Sequence, residues 1–232
     1  MRLSLAFTGR PGKSSMAQPQ PLKRLGHSAI VGQTGSGKTT LARLLLDSSR
    51  RNVIIDPKLE FALPDWMDRS SLLHRGNTLT AHTPDEAVHL IKRRQEHVIY
   101  KPRPEFTKPS DYDPVLEAIY RRGSMDVYID ECAMVCRTHM DYPEKLRWIM
   151  QQGRSKHIRM MIATQRPSGF PLCIVSECLQ FYAFRVIMST DIKRIVEFNG
   201  EYSEPPEYHF WYRGYQDARP YLCTVDLGGD RE

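Results

Sequence analysis

The sequence predicts an α/β fold: a mainly parallel sheet flanked by helices, with a β-hairpin at its C-terminal end. Three observations carry this. A glycine-rich loop sits between a short apolar segment and a helical pattern. Short apolar segments then alternate with helix-patterned stretches along the chain. One of those segments, Met125-Asp126-Val127-Tyr128-Ile129, ends in two acids, Asp130 and Glu131.

The loop is Gly32-Gln33-Thr34-Gly35-Ser36-Gly37-Lys38-Thr39, which satisfies G-x-x-x-x-G-K-[ST] at every fixed position. Before it, His27-Ser28-Ala29-Ile30-Val31 reads as a buried strand. After it, Leu41, Leu44 and Leu45 recur at helical spacing up to Asp47. Glycines let backbone N–H groups close around a phosphate chain at a helix N-terminus, where the dipole also favours anions. In this pattern Lys38 reaches the β- and γ-phosphates and the Thr39 hydroxyl holds Mg²⁺. The predicted ATP-binding set is Gly32 to Thr39 together with Thr40. Gly12-Lys13-Ser14 resembles the end of a second such loop, but the motif needs glycine where the chain has Phe7.

Residues 1–25 are rich in Pro, Gly, Ser, Gln and basic side chains and read as a flexible basic arm ahead of one domain, 26–232. The 232 residues are 41% hydrophobic and 26% charged, enough for one α/β domain with its own core. No apolar run approaches the roughly 20 residues of a membrane span. Five cysteines in no disulfide-like spacing suit a reducing compartment. The net charge of +6 favours a polyanionic partner, though only weakly.

Val53-Ile54-Ile55 is the next strand, stopped by Asp56-Pro57-Lys58. That places Asp56 and Lys58 at a carboxyl end, where open α/β sheets bind ligands. Residues 59–82 give no clear pattern. Thr83-Pro84-Asp85-Glu86 is a helix start with a capping box, and Ala87, Leu90 and Ile91 form its buried face. Val98-Ile99-Tyr100 is a strand. Asp113-Pro114 is read as the opening of the following helix, which ends at Arg121-Arg122-Gly123. The clusters Lys92-Arg93-Arg94 and Arg121-Arg122 suit helix C-termini and are read first as solvated ends, second as nucleic-acid contacts.

Asp130 and Glu131 have the form of a Walker B motif: Asp130 for the metal shell, Glu131 to polarise an attacking water. Cys132, Cys136 and His139 follow at helical spacing but match no zinc template, so they read as buried thiols beside a surface histidine. Asp141 is read as the cap of the next helix, with Leu146, Ile149 and Met150 on its apolar face. Ile158 to Ala163 is a strand ending at Thr164-Gln165-Arg166-Pro167, and the Gln165 amide is placed to sense a γ-phosphate. Glu207 to Tyr212 and Arg219 to Val225 bracket a turn with Gly214 and read as a hairpin whose aromatics cover the sheet.

Gly153-Arg154, an apolar strand and then Ala163-Thr164-Gln165-Arg166-Pro167 resemble the pattern of the FtsK–HerA superfamily of DNA-pumping ATPases. The phosphate loop, Asp56-Pro57-Lys58 and Asp130-Glu131 fit it in the same order. Phe184-Arg185-Val186 and Thr190-Asp191-Ile192-Lys193-Arg194 are similar to its next strand and helix. The resemblance covers residues 27–198. It implies a RecA-like P-loop NTPase whose sheet has an extra strand between those bearing the two nucleotide motifs. It also implies a homo-oligomeric ring, most often a hexamer, with Gln165 as sensor and Arg154 as an arginine finger for the neighbour's nucleotide. A compact chain looks most like the genome-packaging ATPases of tailless internal-membrane viruses. The expected partners are then double-stranded DNA and capsid-vertex or membrane-associated viral proteins, in host cytoplasm or at the packaging vertex. Two other readings compete. One is a small-molecule P-loop kinase, which the Asp130-Glu131 pair and Gln165 argue against. The other is a Zot-like phage assembly ATPase, which typically carries a membrane span.

Overall fold

The computed structural model describes residues 4–7, 17–21, 26–47, 49–62 and 77–225. The strands that build the site run parallel. They are β3 (Ser28–Val31), β4 (Asn52–Ile55), β5 (Thr78–Ala81), β6 (His97–Tyr100), β7 (Met125–Ile129), β8 (Ile158–Thr164) and β9 (Gln180–Ala183). Their order is β9-β3-β8-β7-β4-β6-β5. β8 therefore lies between the strand before the phosphate loop and the strand before Asp130, as the resemblance implies. The C-terminal hairpin, β10 (His209–Gly214) and β11 (Tyr221–Val225), adds antiparallel to β9.

β3, β4, β6, β7 and β8 read as largely apolar runs because both their faces are buried, whereas edge strand β5 stays partly exposed. Alternation still decides which neighbour each side chain meets. Ile30, Ile54, Tyr128 and Met161 pack under α1 (Lys38–Asp47) with Leu41, Leu45 and Leu46. Val31, Ile55, Val127 and Ile162 face the other layer, beneath α2 (Pro84–Lys92), α3 (Pro109–Arg122) and α5 (Glu144–Gln152). The short α4 (Cys132–Val135), α6 (Leu172–Val175) and α7 (Ser189–Asn199) complete the helices used below. Phe210 is buried and Trp211 and Tyr212 pack against the core, so the hairpin aromatics cover the sheet.

The start of α2 is as read: the Thr83 hydroxyl accepts the Glu86 amide at 3.2 Å and the Glu86 carboxylate accepts the Thr83 amide at 3.4 Å. Other details differ. Asp113-Pro114 does not open α3, which begins at Pro109 and carries Pro114 within it. The start is set instead by Asp111, whose carboxylate accepts the Lys108 amide at 2.9 Å. Asp141 does not cap α5. It closes a turn in which its amide donates to the Thr138 hydroxyl, and the helix starts after Pro143. Within residues 1–25, where no strand is read from the sequence, β1 (Ser4–Phe7) and β2 (Ala17–Pro21) extend the sheet beyond β11. An unpaired sheet edge offers N–H and C=O groups to any extended segment, even a proline-bearing one. Gly12-Lys13-Ser14 lies outside the described residues.

Candidate active site

Parallel order brings the carboxyl ends of β3, β4, β7, β8 and β9 to one edge, and the candidate residues gather there. The phosphate loop leaves β3 at Gly32, whose amide donates to the Thr164 carbonyl at 3.1 Å; the Gln33 amide donates to the Arg185 carbonyl at 2.9 Å. The loop is thus pinned to both neighbouring strand ends. It also folds on itself. Ser36 Oγ and Lys38 Nζ donate to the Gln33 carbonyl at 2.8 and 2.7 Å. Gly32, Gly35 and Gly37 have φ of 153°, 76° and 105°, conformations in which a Cβ is strained. Thr34 and Gly35 are exposed at the tip, and Thr39 and Thr40 are half-buried in the first turn of α1.

Lys38 is buried, and that burial lowers its ammonium pKa to about 8, partly opposed by the nearby Glu131 carboxylate. Asp130 and Glu131 follow β7, both 6% exposed. Burial raises the Asp130 carboxyl above the usual range, against the hydrogen bond from Tyr128, whose hydroxyl donates to Asp130 Oδ1 at 2.7 Å. Glu131 sits in the left-handed region, φ 63°, which turns its side chain towards the end of β8. There it accepts the Thr164 hydroxyl at 2.7 Å and the Gln165 amide at 3.2 Å to each oxygen. Lys58 Nζ stands 3.6 Å from Glu131 Oε2.

The sequence pairs Asp56 and Lys58 at this edge; the structure separates their parts. Lys58 reaches Glu131. Asp56 is wholly buried and organises its own turn, accepting the amides of Phe61 at 2.8 Å and Glu60 at 3.3 Å, with Lys101 Nζ at 3.5 Å. Buried Asp191 likewise holds the 166–168 loop through the Ser168 amide and Arg166. Tyr128 and Thr164 are partners that sequence reasoning missed. A tyrosine in a buried apolar strand is the signal for the first, because its hydroxyl needs a partner.

Arg154 is not at this edge. It lies in the 3₁₀ turn Gly153–Lys156, ahead of β8, while Gln165 follows β8. Seven strand residues separate the two by roughly 20 Å. Arg154 lines a cleft of about 1130 Å³ at the amino ends of the strands, with Arg50, Arg51, His157 and Arg159. Behind it, buried His27 accepts the Met160 amide on Nδ1 at 3.0 Å. Burial, and secondarily the Arg154 charge, lower the His27 pKa to about 4.

Cys132 and Cys136 are buried with their sulfurs 3.6 Å apart, and His139 is exposed. Among the described residues no three His, Cys, Asp or Glu side chains form a metal cluster. The Thr39 hydroxyl and the buried Asp130 carboxylate are the hard oxygen donors that suit Mg²⁺, which is held by one or two carboxylates plus phosphates.

Strand, glycine loop and helix, joined to a strand-end Asp-Glu pair in a parallel sheet, define a RecA-like P-loop NTPase. Within that class, residues 22–117 match the family described as helicase HerA, central domain. The fold is similar to the genome packaging NTPase B204 of Sulfolobus turreted icosahedral virus 2 in complex with ATP-gammaS, at TM-score 0.66 and 14% identity over 89% of this chain and 100% of that one. It is similar to EssC (ATPases 2 and 3) of Geobacillus thermodenitrificans at TM-score 0.60 and 14% identity, over 100% of this chain and 45% of that one. It is also similar to the bacterial conjugative coupling protein TrwBdeltaN70, at TM-score 0.58 and 11% identity over 91% and 87%. Among curated proteins no sequence matches. The FtsK–HerA resemblance drawn from the motifs is met by the HerA central-domain match over residues 22–117; the solved structures add likeness of fold. No helix among the described residues is long and apolar enough to cross a membrane.

Proposed function

We propose that the chain hydrolyses ATP with Mg²⁺ and couples this to translocation of double-stranded DNA, packaging a viral genome into a capsid as part of a homo-oligomeric ring, a hexamer by family analogy. The phosphate loop and Lys38 bind the triphosphate, and Thr39 and Asp130 hold the Mg²⁺, which neutralises phosphate charge when bound. Glu131 orients and polarises the attacking water. Gln165, held at the end of β8 by its backbone N–H bond to Glu131, senses the γ-phosphate through its side-chain amide. The partner at the capsid vertex, or among membrane-associated viral proteins, belongs to the same reading.

The observation that carries the ring is the place of Arg154. A finger roughly 20 Å from its own phosphate loop serves only another copy's nucleotide, in a head-to-tail contact of the kind that closes rings. Likeness of fold to a genome packaging NTPase, B204, supports the choice of substrate.

Steady-state ATP hydrolysis with and without long double-stranded DNA, for wild type and Glu131→Gln, tests the proposal. Stimulation by DNA that Glu131→Gln abolishes supports it. Hydrolysis indifferent to DNA overturns the autonomous motor.

A further inference from the structure

The hydroxyl of Tyr128 is anchored to one of the two residues assigned to the metal. It donates to Asp130 Oδ1 at 2.7 Å, and it also feels the other, the Thr39 side chain of α1, electrostatically. Tyr128 is fully buried, in a core cluster of Ile30, Leu41, Leu45, Ile54 and Met161. Its position follows from β7: residues two apart in a strand share a face, so Tyr128 and Asp130 both point at the α1 side. Phe61 fixes the ring from one side, its centroid 5.9 Å away, and Arg43 lies 5.0 Å over Phe61. Phenylalanine would fill the same space without a buried hydroxyl to satisfy. The hydroxyl at this position is therefore accounted for by its bond to Asp130.

We infer that Tyr128 is a positioning residue that presets the Mg²⁺ site by orienting the Asp130 carboxylate. This rests on the nucleotide site proposed above. With Oδ1 bonded to the phenol, the orientation of the carboxylate is restrained and Oδ2 is left to face a cation. Partners behind a metal ligand set its orientation, and removing one typically costs 10–100-fold in metal affinity. The Tyr128 hydroxyl itself touches neither nucleotide nor reacting atoms.

The test is equilibrium binding of a fluorescent ATP analogue as Mg²⁺ is titrated, for wild type and Tyr128→Phe, with binding in EDTA as the reference. Phenylalanine keeps the ring volume, and a melting curve in EDTA verifies the fold. The expected result is a half-saturating Mg²⁺ concentration raised about tenfold or more with the EDTA affinity unchanged. In an Asp130→Asn background, where the phenol's charged partner is gone, Tyr128→Phe adds no further shift. An unchanged Mg²⁺ half-point in Tyr128→Phe, or the same shift with and without Asp130, overturns the inference. Wild type that binds no nucleotide at all overturns the nucleotide-site reading instead.

Discussion

The Glu131 carboxylate accepts the Thr164 hydroxyl at 2.7 Å, joining the loop that follows β7 to the last residue of β8. The same carboxylate takes the Gln165 amide and faces Lys58. Both Glu131 and Thr164 are buried, so the hydroxyl replaces water that the carboxylate would otherwise keep. Thr164→Val keeps the shape and leaves a buried charge short of a donor. The expected loss of stability is about 1–3 kcal/mol, read from urea denaturation midpoints at unchanged slope; a loss below a few tenths would show that Glu131 does not need this bond.

Glu131→Gln separates binding from chemistry. The amide still fills the pocket but no longer polarises a water. Mg·ATP binding should persist within a few-fold, while hydrolysis falls by about 10²–10⁴. Equilibrium binding and single-turnover hydrolysis on one preparation decide it. Equal loss of both would make Glu131 a structural residue.

Gly32 and Gly37 should respond differently to alanine. A Cβ on Gly32 would stand 2.5 Å from the Phe184 Cβ, which every residue but glycine carries, so Phe184→Ala cannot relieve it. A Cβ on Gly37 would meet only the Phe184 ring edge, at 3.2 Å. Gly32→Ala is expected to cost more than about 2 kcal/mol and to abolish nucleotide binding. Gly37→Ala should be milder and partly rescued by Phe184→Leu, leaving only the strain of φ 105°. Melting temperatures of the four variants check the order.

Arg154 acts in trans if the proposed ring forms. Arg154→Ala should lose about 10³–10⁵ in rate and keep its nucleotide affinity. Lys38→Ala should lose affinity. Mixing the two restores hydrolysis, because the intact finger of the Lys38→Ala copy serves the intact loop of the other. Absence of recovery in subunit-exchanged mixtures would count against the finger.

His27 gives an acid limb to stability. Its folded pKa, about 4, lies below the ordinary 6.5, so between these values the unfolded chain binds a proton that the folded chain excludes. Stability is therefore full above pH 6.5 and falls as pH drops towards 4, by at most about 3 kcal/mol. His27→Asn, whose carbonyl oxygen can accept the Met160 amide as Nδ1 does, should lose this part of the slope. Denaturation midpoints from pH 7 to 4 compare the two; parallel curves would mean that His27 is not the group responsible.

Sequence alone determined the phosphate loop, the acid-ended strand, the Thr83 capping box and the parallel α/β class. Each is written within a few neighbouring residues, through glycine conformations, caps and hydrophobic period. The starts of α3 and α5 differ from the sequence reading because Asp111 accepts the Lys108 amide at the start of α3, while Asp113, from within α3, accepts the Lys145 amide in the first turn of α5 at 2.8 Å, the bond expected of a cap such as Asp141. What only the tertiary structure decided is who stands beside whom. Inserting β8 between β3 and β7 puts Thr164 and Gln165 on Glu131 and ties the Gly32 amide to the Thr164 carbonyl. Strand order in a parallel sheet is set by crossovers and burial over more than a hundred residues, and no local pattern encodes it.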